Sequence, residues 1–360
     1  MQLVGYCPIT VVPQPLFLSR FVMARFYLKR FLHGRQSRSK QQGFTLIEVL
    51  VSIIIASLIV GGLLYLVVQL LKVDREESVL NQTQQDTRRA LDYVSRELQE
   101  AIFVYPSQAD LDRVVGELSD VPTGATPVVA FWRTDPISAA NYAALPNDCT
   151  TLSAPKDDEC RVLKLRQNVY TLVVYLLQDN SPTDIWEGES RILRYELSQY
   201  SNYTNLTERT GYVDPAPNNF EDWEANGNTT NGTWAVLTDS IDDPSDDSDS
   251  ATLPQCDTAD RYERIPDNSD AAAANPTKTS YSFFTCVRDP ILTAAERAQL
   301  NVSISDAAAA QNNQDMIVYL RGDASDGRNT SGLTFFSEDS SLPTLESRIL
   351  VRGILDKRPE

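Results

Sequence analysis

Histidine is almost absent: the 360 residues hold one, His33. A Ser-His-Asp relay, a Cys-His pair or a His-ligated zinc centre would all have to be built on that single ring. The five cysteines include no C-x-x-C pair, and the 15 glycines form no phosphate-cradling loop, so thiol redox and nucleotide chemistry lose support. Acidic residues abound, but abundance is not the placed carboxylate pair that a glycosidase needs. The chain is therefore read as a non-enzyme, with no cofactor and no metal. Basic residues are scarce outside the N-terminus. The net charge is -17, and residues 1–42 carry seven Lys and Arg with no acid, which leaves -24 on the rest. So acidic a body cannot release counterions from phosphates, and no nucleic-acid partner is expected. Proline is missing from Phe44 to Tyr105, so nothing halts a helix before Pro106. No internal repeat is present.

What the sequence does have is a long apolar run. Val49–Leu71 contains 23 residues without a formal charge, bounded by Glu48 and Lys72. At about 1.5 Å per residue the run is roughly 34 Å of helix, enough to cross a hydrocarbon core. A secretory signal peptide has a shorter apolar core with a small-residue cleavage site after it, and neither feature fits here. A plain signal anchor accounts for the span but not for the residues at its head. Lys and Arg resist translocation, so the basic head predicts a cytoplasmic N-terminus and an acidic body across the inner membrane, on its periplasmic or extracellular side.

At the head of the span stands Gly43-Phe44-Thr45-Leu46-Ile47-Glu48, followed by Val49-Leu50-Val51. This segment closely resembles the signal of type IV prepilins. The resemblance implies a basic leader, residues 1–43, removed by the prepilin peptidase between Gly43 and Phe44, with Phe44 N-methylated afterwards. On that reading the mature chain has no histidine. Glu48, the fifth mature residue, is implied to pair with the Phe44 amine of a neighbouring subunit and so to fix axial register in a filament. A carboxylate at the membrane edge is costly and usually has a partner; the alternative is a side chain that snorkels to the headgroups. The leader is longer than the family's usual one, and a start at Met23 would give a more ordinary length.

The family implies an α+β pilin fold, a long N-terminal helix on an antiparallel sheet. The expected divisions are the transmembrane half of the helix at 44–72, an extracytoplasmic amphipathic half at 73–105, and a β-rich globular domain at 106–360. Leu80, Thr87, Leu91, Val94, Leu98 and Ile102 recur at helical spacings and are expected to lie on the sheet. Arg88, Arg89, Asp92, Arg96, Glu97 and Glu100 are expected to face water or other subunits. Gly61-Gly62 is a plausible weak point in the span. Strands are expected at Val128–Trp132, Arg161–Leu165, Tyr170–Leu177, Ile192–Leu197, Trp234–Leu237, Ser282–Val287, Met316–Leu320 and Ile349–Arg352. Tyr170–Leu177 and Ile192–Leu197 read as a hairpin. Asn202–Asn231 and Asp239–Ala274 read as loops.

Cys149, Cys160, Cys256 and Cys286 permit three pairings, of which the short-loop solution, Cys149–Cys160 with Cys256–Cys286, is favoured if the body lies in an oxidising compartment. The Asp242, Asp243, Asp246, Asp247 and Asp249 cluster lacks the spacing, glycine and terminal Glu of an EF-hand and reads as a solvated loop. Arg321-Gly322-Asp323 reads as a turn closing a strand rather than an adhesion motif.

The resemblance implies a minor pseudopilin that initiates or caps a secretion filament. Its partners would be the prepilin peptidase, other pilins, the inner-membrane assembly platform and lipid. Its long insertions resemble those of the larger J and W minor types, and in size, leader and the Thr87–Tyr93 region the chain is similar to pseudopilins of hormogonium polysaccharide secretion. A minor pilin of a true type IV pilus and a single-span sensor are the competing readings.

Overall fold

A computed structural model of the chain describes residues 43–181, 183, 185–186, 188–217, 220–227, 229–243, 253–267, 280–288, 314–324 and 342–351. The chain divides into two units, Met1–Val67 and Val68–Glu360. With no proline to interrupt it, one helix, α1 (Leu46–Gln99), runs unbroken through Gly61 and Gly62. It stops six residues before the expected end. Ala101–Val104 is strand β1 instead, because Ala101 and Val104 are buried when paired with strand β2 (Thr126–Pro136).

In the second unit the buried face of α1 is Thr83, Thr87, Ala90, Leu91, Val94, Ser95, Glu97 and Leu98. This matches much of the expected stripe, with two differences. Leu80 is 39% exposed, so the buried face begins one turn later. Glu97, expected in water, is 7% exposed. The hydroxyls on this face are satisfied within the helix, Thr87 Oγ1 donating to Thr83 O at 2.7 Å and Ser95 Oγ to Leu91 O at 2.6 Å.

Glu97 is held by three strands of one sheet. Between β1 and β2 lies α2 (Gln108–Gly116), and the chain continues after β2 through α3 (Ala139–Ala144) and α4 (Lys156–Arg166) into β3 (Asn168–Asp179), β4 (Ser190–Ser198), the short pair β5 (Tyr200–Asn202) and β6 (Thr207–Glu208), and β7 (Thr233–Ile241). Among the described residues β1-β2-β3-β4-β7 is the strand order of one antiparallel sheet, and β3 and β4 form the expected hairpin with Asp179 opposite Ser190. Arg133 of β2 donates to Glu97 Oε1 at 2.5 Å, Tyr175 of β3 to Oε2 at 2.5 Å, and Arg194 of β4 to both oxygens at 2.9 Å. Alternation puts Trp132 on the other face. There it packs among Tyr212, Phe220 and Trp223, and its Nε1 donates to Tyr105 Oη at 3.0 Å. The Asn202–Asn231 stretch, expected to be loop rather than core, is thus partly core, since Leu206, Tyr212 and Trp223 are buried, and Thr207–Glu208 in it is a short strand; its aromatic residues cover the sheet face away from α1.

A second antiparallel sheet has the order β11-β10-β9-β8, with β8 (Tyr262–Ile265), β9 (Phe283–Arg288), β10 (Asp315–Leu320) and β11 (Leu345–Leu350). β8 lies inside the Asp239–Ala274 stretch expected to be loop, and β11 begins four residues earlier than expected. Residues just after β10 join the two sheets: Gly322 bridges Ile241, and Asp323 N donates to Ser240 O at 3.1 Å. Arg321-Gly322-Asp323 is therefore extended backbone rather than a turn. Arg321 and Asp323 are buried, and Arg321 pairs with Asp242 at 2.5 Å. A Cβ on Gly322 would collide with Thr87 Oγ1, so glycine lets this strand approach α1. Asp243 is also described, whereas Asp246, Asp247 and Asp249 lie outside the described residues, as do Arg352 and residues 1–42 with His33.

The expected strand Arg161–Leu165 is helical, part of α4. Its alternating apolar letters mislead because only Cys160 and Leu163, three apart, are buried, while Val162 and Leu165 are exposed. Asp157, Asp158 and Glu159 in the first turn and Lys164 and Arg166 in the last complement the helix dipole. Gln167, at φ 55°, ends it.

Candidate functional site

The site is the N-terminal start of α1. Gly43 and Phe44 precede the helix, and Phe44 is 79% exposed. Among the described residues nothing lies within 4 Å of a Cβ placed on Gly43, so none of them demands glycine at this position. Thr45 caps the helix: its carbonyl accepts from Glu48 N at 3.0 Å and Val49 N at 3.2 Å, and its Oγ1 accepts from Glu48 N at 3.3 Å. Thr45-Leu46-Ile47-Glu48 has the spacing of a capping box, with Thr at the cap and Glu three residues on. Glu48 is exposed in the first turn, where the helix dipole favours a carboxylate. Thr45 is thus the residue that sets where the helix begins, a local role that the sequence motif signalled without distinguishing.

Beyond Glu48 the helix offers apolar side chains on every side. Leu46, Ile47 and the large apolar residues from Val49 to Val73 are all exposed, and the most apolar window of the helix has a mean hydropathy of 2.7 with none of it buried. Water does not stabilise so large an apolar surface, and lipid or other apolar helices must cover it. Its two serine hydroxyls are self-satisfied: Ser52 Oγ donates to Glu48 O at 2.6 Å and Ser57 Oγ to Ile54 O at 2.8 Å. This is what hydrocarbon requires of a buried hydroxyl. By length and composition α1 can cross a membrane, and the protein is membrane-anchored.

The other singled-out residues lie apart from this start. Cys149 and Cys160 are disulfide bonded with Cα atoms 5.7 Å apart, and Cys256 and Cys286 with Cα atoms 5.5 Å apart. The first bridge joins a 3-10 turn, Cys149–Thr151, to α4 over a small separate core of Leu145, Leu163, Val169, Tyr200 and Leu206. The second ties the segment before β8 to β9.

What sequence reasoning missed is the Glu97 cluster. Burial tends to raise the Glu97 pKa, but hydrogen bonds from Arg194 and Tyr175 and the charges of Arg194 and Arg133 outweigh it and hold the carboxyl below its ordinary value. Asp135 and Glu196 extend the network, Asp135 pairing with Arg133 at 2.8 Å and Glu196 with Arg194 at 2.7 Å. Burial pushes the Tyr175 phenol up, and the neighbouring Glu97 charge adds to it. An Arg on each of two strands and a Tyr between them were visible in sequence, but no local pattern links them to a helix residue 36 or more positions away.

Residues 38–64 match the family model described as the prokaryotic N-terminal methylation motif. No curated protein and no solved structure matches the chain. The motif spans the Gly43-Phe44 bond and Glu48 and sits at the head of a long apolar helix that leads into antiparallel sheets, and the chain is accordingly a type IV pilin-like protein.

Proposed function

We propose that the protein is a minor pseudopilin, a structural subunit rather than an enzyme, of a filament related to type II secretion and type IV pili. It is cut between Gly43 and Phe44 by the prepilin peptidase, N-methylated at Phe44, and drawn through an inner-membrane platform into a short filament. There it initiates or caps assembly with other pilins and supports export of polysaccharide or protein. The observation that carries this reading is the methylation motif at the head of an apolar helix whose side chains have no cover of their own. The two disulfides support an oxidising, extracytoplasmic location for the body. The size of that body, with a disulfide-tied insertion between β2 and β3, supports the minor rather than the major class.

In this role Gly43 serves the peptidase, which must approach the scissile backbone closely, since the fold itself leaves room for a side chain there. Glu48 serves assembly, because its charge in a packed bundle of helices needs the Phe44 amine of a neighbour. Leaving such a buried charge without its partner costs about 3–5 kcal/mol. The test is N-terminal sequencing and intact mass of the membrane-extracted protein, with co-purification of partner pilins and an export assay. Wild type should begin at N-methyl-Phe44, Gly43→Val should stay unprocessed, and Glu48→Ala should be processed and folded yet fail to co-assemble. Cleavage of Gly43→Val at the wild-type bond, or undiminished assembly of Glu48→Ala, refutes the assignment. Loss of pili with export intact would place the subunit in a true pilus instead.

A further inference from the structure

Arg264 stands out among the guanidiniums drawn into the second unit. Arg133, Arg194 and Arg321 each meet a carboxylate at 2.9 Å or less. Arg264 meets none within ion-pair distance among the described residues. Its guanidinium lies 3.7 Å from the centroid of the Phe284 ring and 5.6 Å from that of Tyr281. Nη2 donates to Ser280 O at 2.8 Å, and Nε is buried without a hydrogen-bond partner. Burial lowers the Arg264 pKa to about 10, opposed only by the through-space influence of Tyr281 and Asp267. A half-buried cation over an aromatic ring, with its Nε buried and unbonded and no carboxylate at ion-pair distance among the described residues, is an incomplete ion pair.

We propose that Arg264 and the Phe284 ring form a recognition site for a carboxylate carried by a partner polypeptide. The position suits this, because β8 is an edge strand of its sheet and presents Arg264 at the margin of the fold. A guanidinium fork accepts a carboxylate or a phosphate in the same bidentate pair, and an unmodified polypeptide carries only the first. The missing charge is negative, so an Asp, Glu or chain-terminal carboxylate of a neighbouring subunit completes the pair. The neighbour's identity as a filament subunit rests on the function proposed above; the anion site does not.

The experiment uses full-length wild type and Arg264→Met in detergent, a substitution that keeps an apolar stem against Phe284. Thermal midpoints are compared in sodium acetate and chloride at equal ionic strength. Acetate should raise the wild-type midpoint saturably above chloride, and Arg264→Met should respond about tenfold more weakly. Its midpoint in chloride should not fall, because an uncompensated charge has been removed. An equal acetate response in both proteins, or a large fall in the variant's own midpoint, overturns the site. In a second arm, partner subunits cross-linked in cells to wild type should be lost from Arg264→Met. Retention of those subunits with the acetate response intact overturns the partner polypeptide as the source and leaves a site for free carboxylates. Absence of any cross-linked subunit from wild type is instead a failure of the assembly reading, which the acetate arm does not share.

Discussion

At the residue scale, Glu97 decides how the amphipathic part of α1 seats on its sheet. Apolar side chains such as Val94 and Leu98 contribute burial, about 1.5–3 kcal/mol each, but burial is not directional and tolerates a slip. The Glu97 carboxylate receives two hydrogen bonds from Arg194 and one each from Arg133 and Tyr175, and a shift of one turn would break them all. Glu97→Ala leaves two guanidiniums deprived of this acceptor and should cost about 3–5 kcal/mol in chemical denaturation. The pH dependence has a defined sign. The folded pKa lies below the ordinary value, so the stabilisation is present above about pH 4.3 and is lost as pH falls through the depressed folded value. Glu97→Gln should remove that part of the acid-side slope; a wild-type and Glu97→Gln stability difference that stays constant from pH 7 to pH 3 would contradict it.

Among the elements, the segment between β2 and β3 carries its own small core and bridge. Removing the Cys149–Cys160 bond by the double substitution Cys149→Ser, Cys160→Ser frees a loop whose ends are 11 residues apart and should cost about 2–4 kcal/mol. Because α3 buries no residue, the loss should appear first as hydrogen exchange in α3 and α4, ahead of β2 and β3. Simultaneous exchange of all four elements would show that the insertion is not an independent cooperative unit. This segment is also where sequence reading failed. In Arg161-Val162-Leu163-Lys164-Leu165 the apolar Leu163 and Leu165 fit a strand face, while Cys160 and Leu163 fit a helix face, and so short a run satisfies both periods. The bridge to Cys149 and the contacts of Leu163 settle the conflict, and neither is local.

For the whole molecule, apolar surface is divided unevenly. From Phe44 to Val73 large apolar side chains are exposed, whereas beyond Thr83 the sheets enclose Trp132, Tyr175, Phe283 and their neighbours. A chain beginning at Lys72 should therefore stay in solution without detergent and unfold cooperatively, with a midpoint near that of the full-length protein. Detergent-dependent solubility of that fragment would mean that the apolar span also supports the body. The proposed processing site needed no structure to be seen. Gly43, Phe44 and Glu48 belong to a short contiguous motif ahead of an uncharged run, and the missing prolines leave a long helix uninterrupted.

Local spacing and composition alone determined the membrane helix, its capped start, most of the central strands and the acidic character of the body, because each depends on neighbours within one or two turns. Tertiary structure alone decided the end of α1 at Gln99, the helical state of Lys156–Arg166, the burial of Glu97 and Arg321, and the seating of Arg264 over Phe284. Those outcomes rest on contacts across tens of residues, where charge and burial are set by what another strand brings alongside.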